Sequence, residues 1–314
     1  MEQMPSPVLR TAIGNYGHTT ALKDGTITSP MFDLEHVEVS PVPMIFRRMV
    51  RGLEFDVAEM ALATCLCARA HGRRFTAIPI FLTRAFYHGE LRYHRRSGIR
   101  EPKDLEGRKV GVRSYTFTPG VWTRGILAAE YGVDLDAVTW VLSGDEHVQE
   151  CVAPANVVSS PNNNLATMLL AGEIDAAIAP GPVDSPDIQP LFPDARQADD
   201  AWHRRTGIYP ISHLLVVKDA ALASHPGLAT ELFRLFSEAR SQYLPRLRSG
   251  AADDAGDRSL RKMPQTVGGD PLPYGFESSR RTLETFIRFN VDQGVIPQTV
   301  APEDLFVPET LALV

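Results

Sequence analysis

The chain has 314 residues, of which 44% are hydrophobic, and its 32 basic and 38 acidic side chains leave a net charge of −6. This length exceeds what one ordinary domain needs, so we expect two lobes with a large buried core. The acidic balance, without a concentrated basic face, argues against duplex nucleic acid as a partner. Three cysteines, Cys65, Cys67 and Cys151, form no even framework, which argues against an oxidising compartment.

The N-terminal sequence MEQMPSPVLRTAIG predicts a cytoplasmic location. It carries an acidic residue and two prolines where an export signal would have basic residues and then an apolar core. No stretch approaches the roughly 18 to 20 apolar residues that span a bilayer. We therefore expect no membrane association, and the sequence leaves a homo-oligomer open.

Short aliphatic runs alternate with helix-period segments along the chain, which is typical of strand-helix-strand units on a mostly parallel sheet. The predicted fold class is therefore α/β. In chain order, the predicted strands are residues 8–13, 37–39, 55–57, 75–81, 109–112, 138–142, 174–178 and 214–217. The predicted helices begin at Pro43, Glu59, Pro119, Asn164, His225 and Ser278. The polar segment 249–257 is predicted to be an exposed loop.

The block from Gly98 to Trp122 has the order charged turn, short helix, strand, polar loop and proline-opened helix. It resembles the block that begins the second lobe in the substrate-binding proteins of bacterial transporters. This resemblance implies a two-lobed, periplasmic binding protein type II-like fold with two hinge crossings, near residues 92–97 and 209–213. Lobe one would comprise residues 1–96 and 211–314, and lobe two residues 97–210.

Further motifs resemble those of the 4,5-dihydroxyphthalate decarboxylase family. They are FDVAEMALAT from Phe55, IPIFLTRAFYH from Ile78, REPKDLEGRKVGV from Arg100, VWTRGIL from Val121, WHRRTGIYPISHLLVVKD from Trp202 and PYGFESSRRTLETF from Pro273. The resemblance covers most of residues 8–306. It implies a carboxy-lyase of phthalate degradation that converts a hydroxylated aromatic acid, such as 4,5-dihydroxyphthalate to protocatechuate. A non-catalytic solute-binding or sensor protein for aromatic carboxylates is the alternative, because one fold can support both functions.

Candidate site residues lie in the loops beyond the carboxyl ends of strands, where ligands bind in open α/β sheets. Tyr16 and His18 follow the first strand and are either ligand contacts or part of a polar turn. Glu59 is either catalytic or a carboxylate that complements the dipole of the predicted helix. His213 is polar beside an apolar strand and is either functional or a hydrogen-bonded core histidine.

Arg84, Phe86 and His88 alternate in a segment that, if extended, places them on one face. A guanidinium, a ring and an imidazole together suit an aromatic carboxylate. The alternative for Arg84 is an interdomain salt bridge. Arg204 and Arg205 are predicted to approach the cleft from the opposite side, although adjacent arginines are more often one solvated and one paired.

Ser114, Tyr115 and Thr118 lie between a predicted strand and the helix opened by Pro119. Free backbone N–H groups and hydroxyls at such a position can bind an anionic group. Thr118 can also serve only as a helix cap. Tyr115 is the better candidate for a ligand contact.

Aromatic decarboxylation requires a general acid at the ring carbon and a base at a ring hydroxyl. Our hypothesis takes His213 or His88 as proton donor, Arg84 with Arg204 or Arg205 as carboxylate clamps, and Tyr115, Ser114 and His18 as contacts to ring hydroxyls. The sequence has no dinucleotide, P-loop, zincin, nucleophile-elbow or C-x-x-C motif, so we predict no cofactor. A metal site assembled in three dimensions from histidines and Glu59 stays open.

Overall fold

The structure is a computed structural model that describes residues 6–314. The first five residues, which belong to the segment used for the export-signal prediction, lie outside the described part. The strands in chain order are β1 Val8–Ala12, β2 Asp33–His36, β3 Val57–Ala61, β4 Phe75–Arg84, β5 Leu91–His94, β6 Lys109–Val112, β7 Thr139–Leu142, β8 Val157–Ser159, β9 Ala176–Ile178, β10 Ile188–Pro190 and β11 Ile211–Lys218. The helices are α1 Thr20–Lys23, α2 Pro43–Gly52, α3 Leu62–Ala70, α4 Thr118–Tyr131, α5 Leu165–Ala171, α6 Ala195–Thr206, α7 Asp219–Ser224, α8 Leu228–Ser249, α9 Ala255–Leu260, α10 Pro264–Val267 and α11 Arg280–Asp292. Within residues 6–314 no helix is long and apolar enough to cross a membrane.

The strands form two mixed sheets, which confirms the predicted α/β class. The first sheet has the order β2-β1-β3-β11-β4, and β11 runs antiparallel to both of its neighbours. The second sheet has the order β10-β5-β9-β6-β7-β8, with parallel pairing from β9 to β8. The chain leaves the first sheet after β4 and returns to it with β11. Two crossings therefore join the sheets, as expected for two lobes.

The first crossing comes earlier than predicted. Strand β4 ends at Arg84, and Leu91 already pairs with Ile178 of the second sheet. The crossing therefore precedes β5 and does not lie at residues 92–97. The second crossing ends at Ile211, within the predicted range. The division into lobes at residues 96 and 210 stays a prediction, although the pairing of β5 assigns its residues to the second sheet.

Two strand predictions for the first sheet are wrong. Strand β2 lies before residues 37–39, and β3 covers Val57–Ala61 rather than residues 55–57. Every residue of β3 is buried, so Glu59 lies inside a strand and the following helix begins only at Leu62. The prediction that Glu59 starts a helix is therefore wrong. A short buried run between two strands has no alternating pattern, and periodicity cannot distinguish it from a helix.

The long helix α8 covers one face of the first sheet. Its buried residues, among them Leu228, Leu232 and Phe236, recur at helical spacing and pack with Leu9 and Ile78 of the sheet. The other long C-terminal helix, α11, packs instead on α4, where Phe286 stacks on Trp122. Helix α8 also brings Tyr243 towards the carboxyl ends of the strands, where the candidate site lies.

The prediction of an exposed loop at residues 249–257 is confirmed for residues 250–254, most of which are exposed, but residues 255–257 begin α9 and include a buried carboxylate. Asp257 is only 6% exposed, and its Oδ1 accepts a hydrogen bond from the hydroxyl of Tyr243 at 2.5 Å. Asp254 and Asp257 also accept each other's backbone N–H groups in a capping box. Polar residues are buried here because their hydrogen bonds are satisfied locally, which composition does not reveal.

Candidate active site

Glu59 is the centre of a buried hydrogen-bond network near the carboxyl end of β3. Its Oε1 accepts from the hydroxyl of Tyr16 at 2.6 Å and lies 2.6 Å from Nδ1 of His213, while Oε2 accepts from the N–H of Gly14 at 2.7 Å. Burial alone would raise the pKa of Glu59, but the hydrogen bonds from His213, Tyr16 and Gly14 outweigh burial and hold the pKa below its usual range. The network therefore keeps an ionised carboxylate inside the fold.

Irregular strand pairing positions His213. It lies opposite Ala61 on β3 and Thr83 on β4, and the register with β4 shifts on both sides of it. Such bulges change the direction of a side chain. Because the ionised Glu59 can only accept, Nδ1 of His213 carries a proton and Nε2 is the free nitrogen, on a side chain that is 23% exposed. An imidazole that a buried carboxylate orients in this way can transfer protons.

Tyr16 and His18 stack beside this network. Their rings are parallel within 1°, with centroids 5.3 Å apart, and Tyr243 contacts His18 edge-on at 5.8 Å. Burial lowers the pKa of His18 to about 4, so the imidazole is neutral at pH 7. Burial and the nearby Glu59 raise the pKa of Tyr16, so its phenol stays protonated and donates.

A cavity of about 790 Å³ opens against Tyr16 and His18. Residues 15–18, 82–86 and 254–257 line it, together with side chains from α6, α8 and the segment that follows α9. His213 is not one of the lining residues. Two of its neighbours do line the cavity: Tyr16, which binds the same Glu59, and Thr83, which lies opposite His213 on β4. The volume lies within the range of about 300 to 1,000 Å³ that small-molecule sites occupy.

Three buried polar atoms of the lining residues have no hydrogen-bond partner within the described part of the chain. They are Nε2 of His18, Oγ1 of Thr83 and Nε of Arg84. Buried polar groups are nearly always paired, so unpaired ones beside a cavity are candidate ligand contacts. His18 therefore lies at the cavity as the sequence predicted, and Thr83 is a further candidate ligand contact that the sequence did not indicate.

Arg84 lines the cavity, but its guanidinium is held by the protein. NH1 donates to the carbonyl of Tyr209 at 2.8 Å, and NH2 donates to the carbonyl of Pro273 at 3.1 Å and to Oγ of Ser279 at 2.7 Å. Burial lowers the pKa of Arg84 to about 10. The expected bidentate clamp on a carboxylate therefore does not fit, because both terminal nitrogens are occupied by the fold.

The predicted shared face of Arg84, Phe86 and His88 is also wrong, because β4 ends at Arg84 and His88 begins a 3-10 helix. Phe86 lines the cavity and stacks on Tyr209 with centroids 5.3 Å apart. His88 is buried away from the lining, and its Nδ1 lies 2.6 Å from Oδ1 of Asp199. Asp199, rather than His88, lines the cavity.

The segment after β6 ties the two sheets together instead of lining the cavity. Tyr115 is buried and donates its hydroxyl to the carbonyl of Gln293 at 3.0 Å, and Oγ1 of Thr118 accepts from the N–H of Ala63 at 3.0 Å. Thr118 thus caps a neighbouring helix, α3, rather than its own. Ser114 is fully buried, with no partner for its Oγ among residues 6–314. Contacts from Tyr115 and Thr118 to a ligand are therefore not supported.

Arg204 and Arg205 do not reach the cavity. Both are exposed on α6, and Arg205 pairs with Glu130 of α4. They follow Trp202, whose buried ring fixes the other face of the helix. The prediction that these arginines clamp a substrate from the second crossing is wrong, because helical geometry turns them towards solvent.

Two curated relatives resemble the chain. It is 30% identical over 325 residues to a 4,5-dihydroxyphthalate decarboxylase of Comamonas testosteroni, with 96% of this chain and 97% of that protein covered. It is 31% identical over 214 residues to a 4,5-dihydroxyphthalate decarboxylase of Pseudomonas putida, with 62% of this chain and 81% of that protein covered. No family model matches the chain.

The chain belongs to the 4,5-dihydroxyphthalate decarboxylase family. Solved structures agree with the expected fold of this family member. The periplasmic aliphatic sulphonate binding protein SsuA of Escherichia coli matches with a TM-score of 0.53 at 13% identity, covering 96% of this chain and 92% of that one. The desulfurization enzyme DSZB matches with a TM-score of 0.53 at 15% identity, covering 97% of both chains. The periplasmic binding protein type II-like, two-lobed fold is thereby confirmed.

Sequence analysis missed several residues that line the cavity of this decarboxylase-family protein. Arg196 and Asp199 come from α6, and Tyr243 comes from α8. Asp257 belongs to α9, and Lys262 follows that helix. None belongs to a recognisable motif. Only Asp199 has a signal in the sequence, because it lies three residues before Trp202 on a polar helix and therefore on the same helix face.

The sequence leaves open a metal site built from histidines and Glu59. Within residues 6–314, no group of three or more His, Cys, Asp or Glu side chains is arranged to hold a metal ion. The network of Glu59 and His213 contains only two such side chains, and a tyrosine hydroxyl and a backbone N–H complete it. Its donors are already matched to the carboxylate, which leaves it suited to proton transfer.

Proposed function

We propose that the protein decarboxylates a hydroxylated aromatic dicarboxylic acid, with 4,5-dihydroxyphthalate as substrate and protocatechuate as product. One observation carries the proposal. In a chain of the 4,5-dihydroxyphthalate decarboxylase family, the buried Glu59 binds both His213 and Tyr16, and Tyr16 lines a cavity large enough for a substituted benzene ring.

The reaction needs a proton at the ring carbon that carries the departing carboxylate. Protonation there breaks aromaticity, and the C–C bond to CO2 then breaks to restore it. In our proposal His213 supplies this proton through Nε2, because Glu59 binds Nδ1 and fixes the orientation of the ring. Tyr16 and Gly14 hold Glu59 in place from the other side.

The cavity offers separate positions for the substrate's polar groups. Neutral His18 and the hydroxyl of Thr83 can hydrogen-bond ring hydroxyls. Arg196 and Lys262, both exposed, lie where they can attract carboxylates from solvent. The apolar wall of Leu82 and Phe86 suits the face of an aromatic ring.

A solute-binding or sensor protein remains the competing hypothesis, and the family membership does not favour it. The two hypotheses differ in what happens to the ligand, since a binder returns it unchanged. We also propose that the protein acts in the cytoplasm, which cell fractionation can check.

The deciding experiment measures CO2 release and the change in ultraviolet absorbance on mixing the protein with 4,5-dihydroxyphthalate and related hydroxylated phthalates and benzoates. We expect CO2 from the dihydroxyphthalate. His213→Asn should lower single-turnover release about 10²- to 10⁴-fold, with affinity within several-fold of the wild type. His225→Asn is the control, because His225 lies outside the cavity lining and its ring hydrogen-bonds the carbonyl of Ala221 in the preceding helix. Unchanged ligand recovered from the wild type would favour the binding protein.

A further inference from the structure

Asp199 presents an unused carboxylate oxygen to the cavity. Its side chain is 15% exposed and lines the cavity beside Thr83 and Arg84. Oδ1 lies 2.6 Å from Nδ1 of His88 and accepts more weakly from the backbone N–H of His88 at 3.4 Å. Oδ2 has no hydrogen-bond partner among residues 6–314 and is not fully buried, so a ligand in the cavity can reach it.

His88 fixes the position of this carboxylate. The imidazole is 1% exposed and packs edge-on against the rings of Tyr131, Phe192 and Trp202. Its residue lies in the first crossing, whereas Asp199 lies on α6 between β10 and β11. The pair therefore anchors an acidic side chain of α6 to the crossing, and aromatic packing leaves the imidazole little freedom to move.

The other carboxylates of the cavity are already used or solvated. Asp257 accepts from the hydroxyl of Tyr243 with Oδ1 and from the N–H of Asp254 with Oδ2. Asp254 is exposed and accepts from the N–H of Asp257. Glu59, which does not itself line the cavity, accepts hydrogen bonds from three donors. Asp199 is thus the partly buried carboxylate of the described lining that retains a free oxygen for a ligand.

We propose that Asp199 is the general base at a ring hydroxyl of the substrate and that His88 positions it. This inference rests on the proposed decarboxylase function. When the ring carbon para to a hydroxyl accepts a proton from His213, positive charge develops on that hydroxyl. Asp199 takes the hydroxyl proton, which leaves a neutral dienone. The C–C bond to the carboxylate then breaks and its electron pair returns to the ring, CO2 departs, and protonated Asp199 returns its proton to the phenolate oxygen.

The protein then has two histidine–carboxylate pairs, and the accessible partner is the histidine in one and the carboxylate in the other. In one pair Glu59 is buried and His213 is accessible, which suits an acid. In the other His88 is buried and Asp199 is accessible, which suits a base. Protonation of carbon and deprotonation of oxygen occur at different atoms of one ring, so two separate groups are required.

The test compares Asp199→Asn with Asp200→Asn. Asn retains an acceptor for His88 but cannot take a proton, so kcat for 4,5-dihydroxyphthalate should fall about 10²- to 10⁴-fold while ligand affinity changes only several-fold. Asp200 is the next residue on α6, contacts Arg196 and Thr266, and does not line the cavity, so its variant should keep nearly wild-type turnover. Circular dichroism establishes that both variants are folded.

A ring-fluorinated dihydroxyphthalate provides the readout that a structural role would not change. Fluorine makes the hydroxyl more acidic and less dependent on a base, so the defect of Asp199→Asn should shrink on this substrate. His88→Gln, which keeps the base but removes its anchor, should lower kcat with the wild-type ratio between the two substrates.

Wild-type turnover by Asp199→Asn, or an equal defect on both substrates, would overturn the role of Asp199 while leaving the decarboxylase proposal intact. A wild type that releases no CO2 from either substrate would instead remove the proposed function and this inference with it.

Discussion

Replacing Glu59 with glutamine perturbs the network that the candidate site depends on. The carboxylate accepts three hydrogen bonds, whereas the amide offers one oxygen and two N–H groups. If the amide oxygen faces Tyr16 and His213, the amide nitrogen meets the N–H of Gly14 and leaves a buried donor unpaired, at a cost of about 1 to 3 kcal/mol. Two charge-assisted bonds also become neutral, each weaker by about 1 kcal/mol.

We therefore expect Glu59→Gln to lower the free energy of unfolding by about 3 to 5 kcal/mol. Urea denaturation followed by circular dichroism measures this loss. Glu54→Gln is the control, because Glu54 is 33% exposed and pairs with Arg48 near the surface, and exposed pairs contribute about 1 kcal/mol or less. Equal losses for the two variants would refute the argument that Glu59 is ionised and fully paired.

The same network predicts a pH dependence. The folded pKa of Glu59 lies below its usual range, so its contribution is complete above the unfolded pKa of about 4.3 and is lost as the pH falls through the folded value. The wild type should therefore lose more stability than Glu59→Gln when the pH falls from about 5 towards 3. Parallel stability curves for the two proteins over this interval would contradict a depressed pKa.

Two further substitutions test the geometry around the cavity. Arg84→Ala should destabilise the fold by about 3 kcal/mol or more, because it leaves the buried acceptors of Tyr209, Pro273 and Ser279 unpaired; a normal melting temperature with lost diacid affinity would restore Arg84 as a substrate clamp. Gly17→Ala places a methyl group 2.2 Å from the ring of Tyr243. This contact should displace the ring from His18 and raise KM about tenfold. Unchanged kinetics would show that the loop accommodates the methyl group without moving Tyr243.

The fold class could be predicted from the sequence because its signals are local. Aliphatic runs and proline-opened helices locate β1, β4, β6 and the start of α2 nearly correctly. The short strands β5, β8 and β10 escaped prediction because three or four residues carry too little pattern to distinguish them from loops. The family motifs likewise are contiguous stretches, so they could be recognised without a structure.

The site itself depended on contacts between distant parts of the chain. His213 and Glu59 were each identified as candidates, but nothing in either segment indicates that residues 154 positions apart form one hydrogen-bonded pair. The roles expected of Arg84 and Tyr115 failed because backbone carbonyls from remote segments occupy their donor groups. Asp199, by contrast, is a site candidate only because α6 packs with this residue against the cavity. Residue types and periodicity determine which elements form, whereas tertiary packing decides which polar atoms remain free for a ligand.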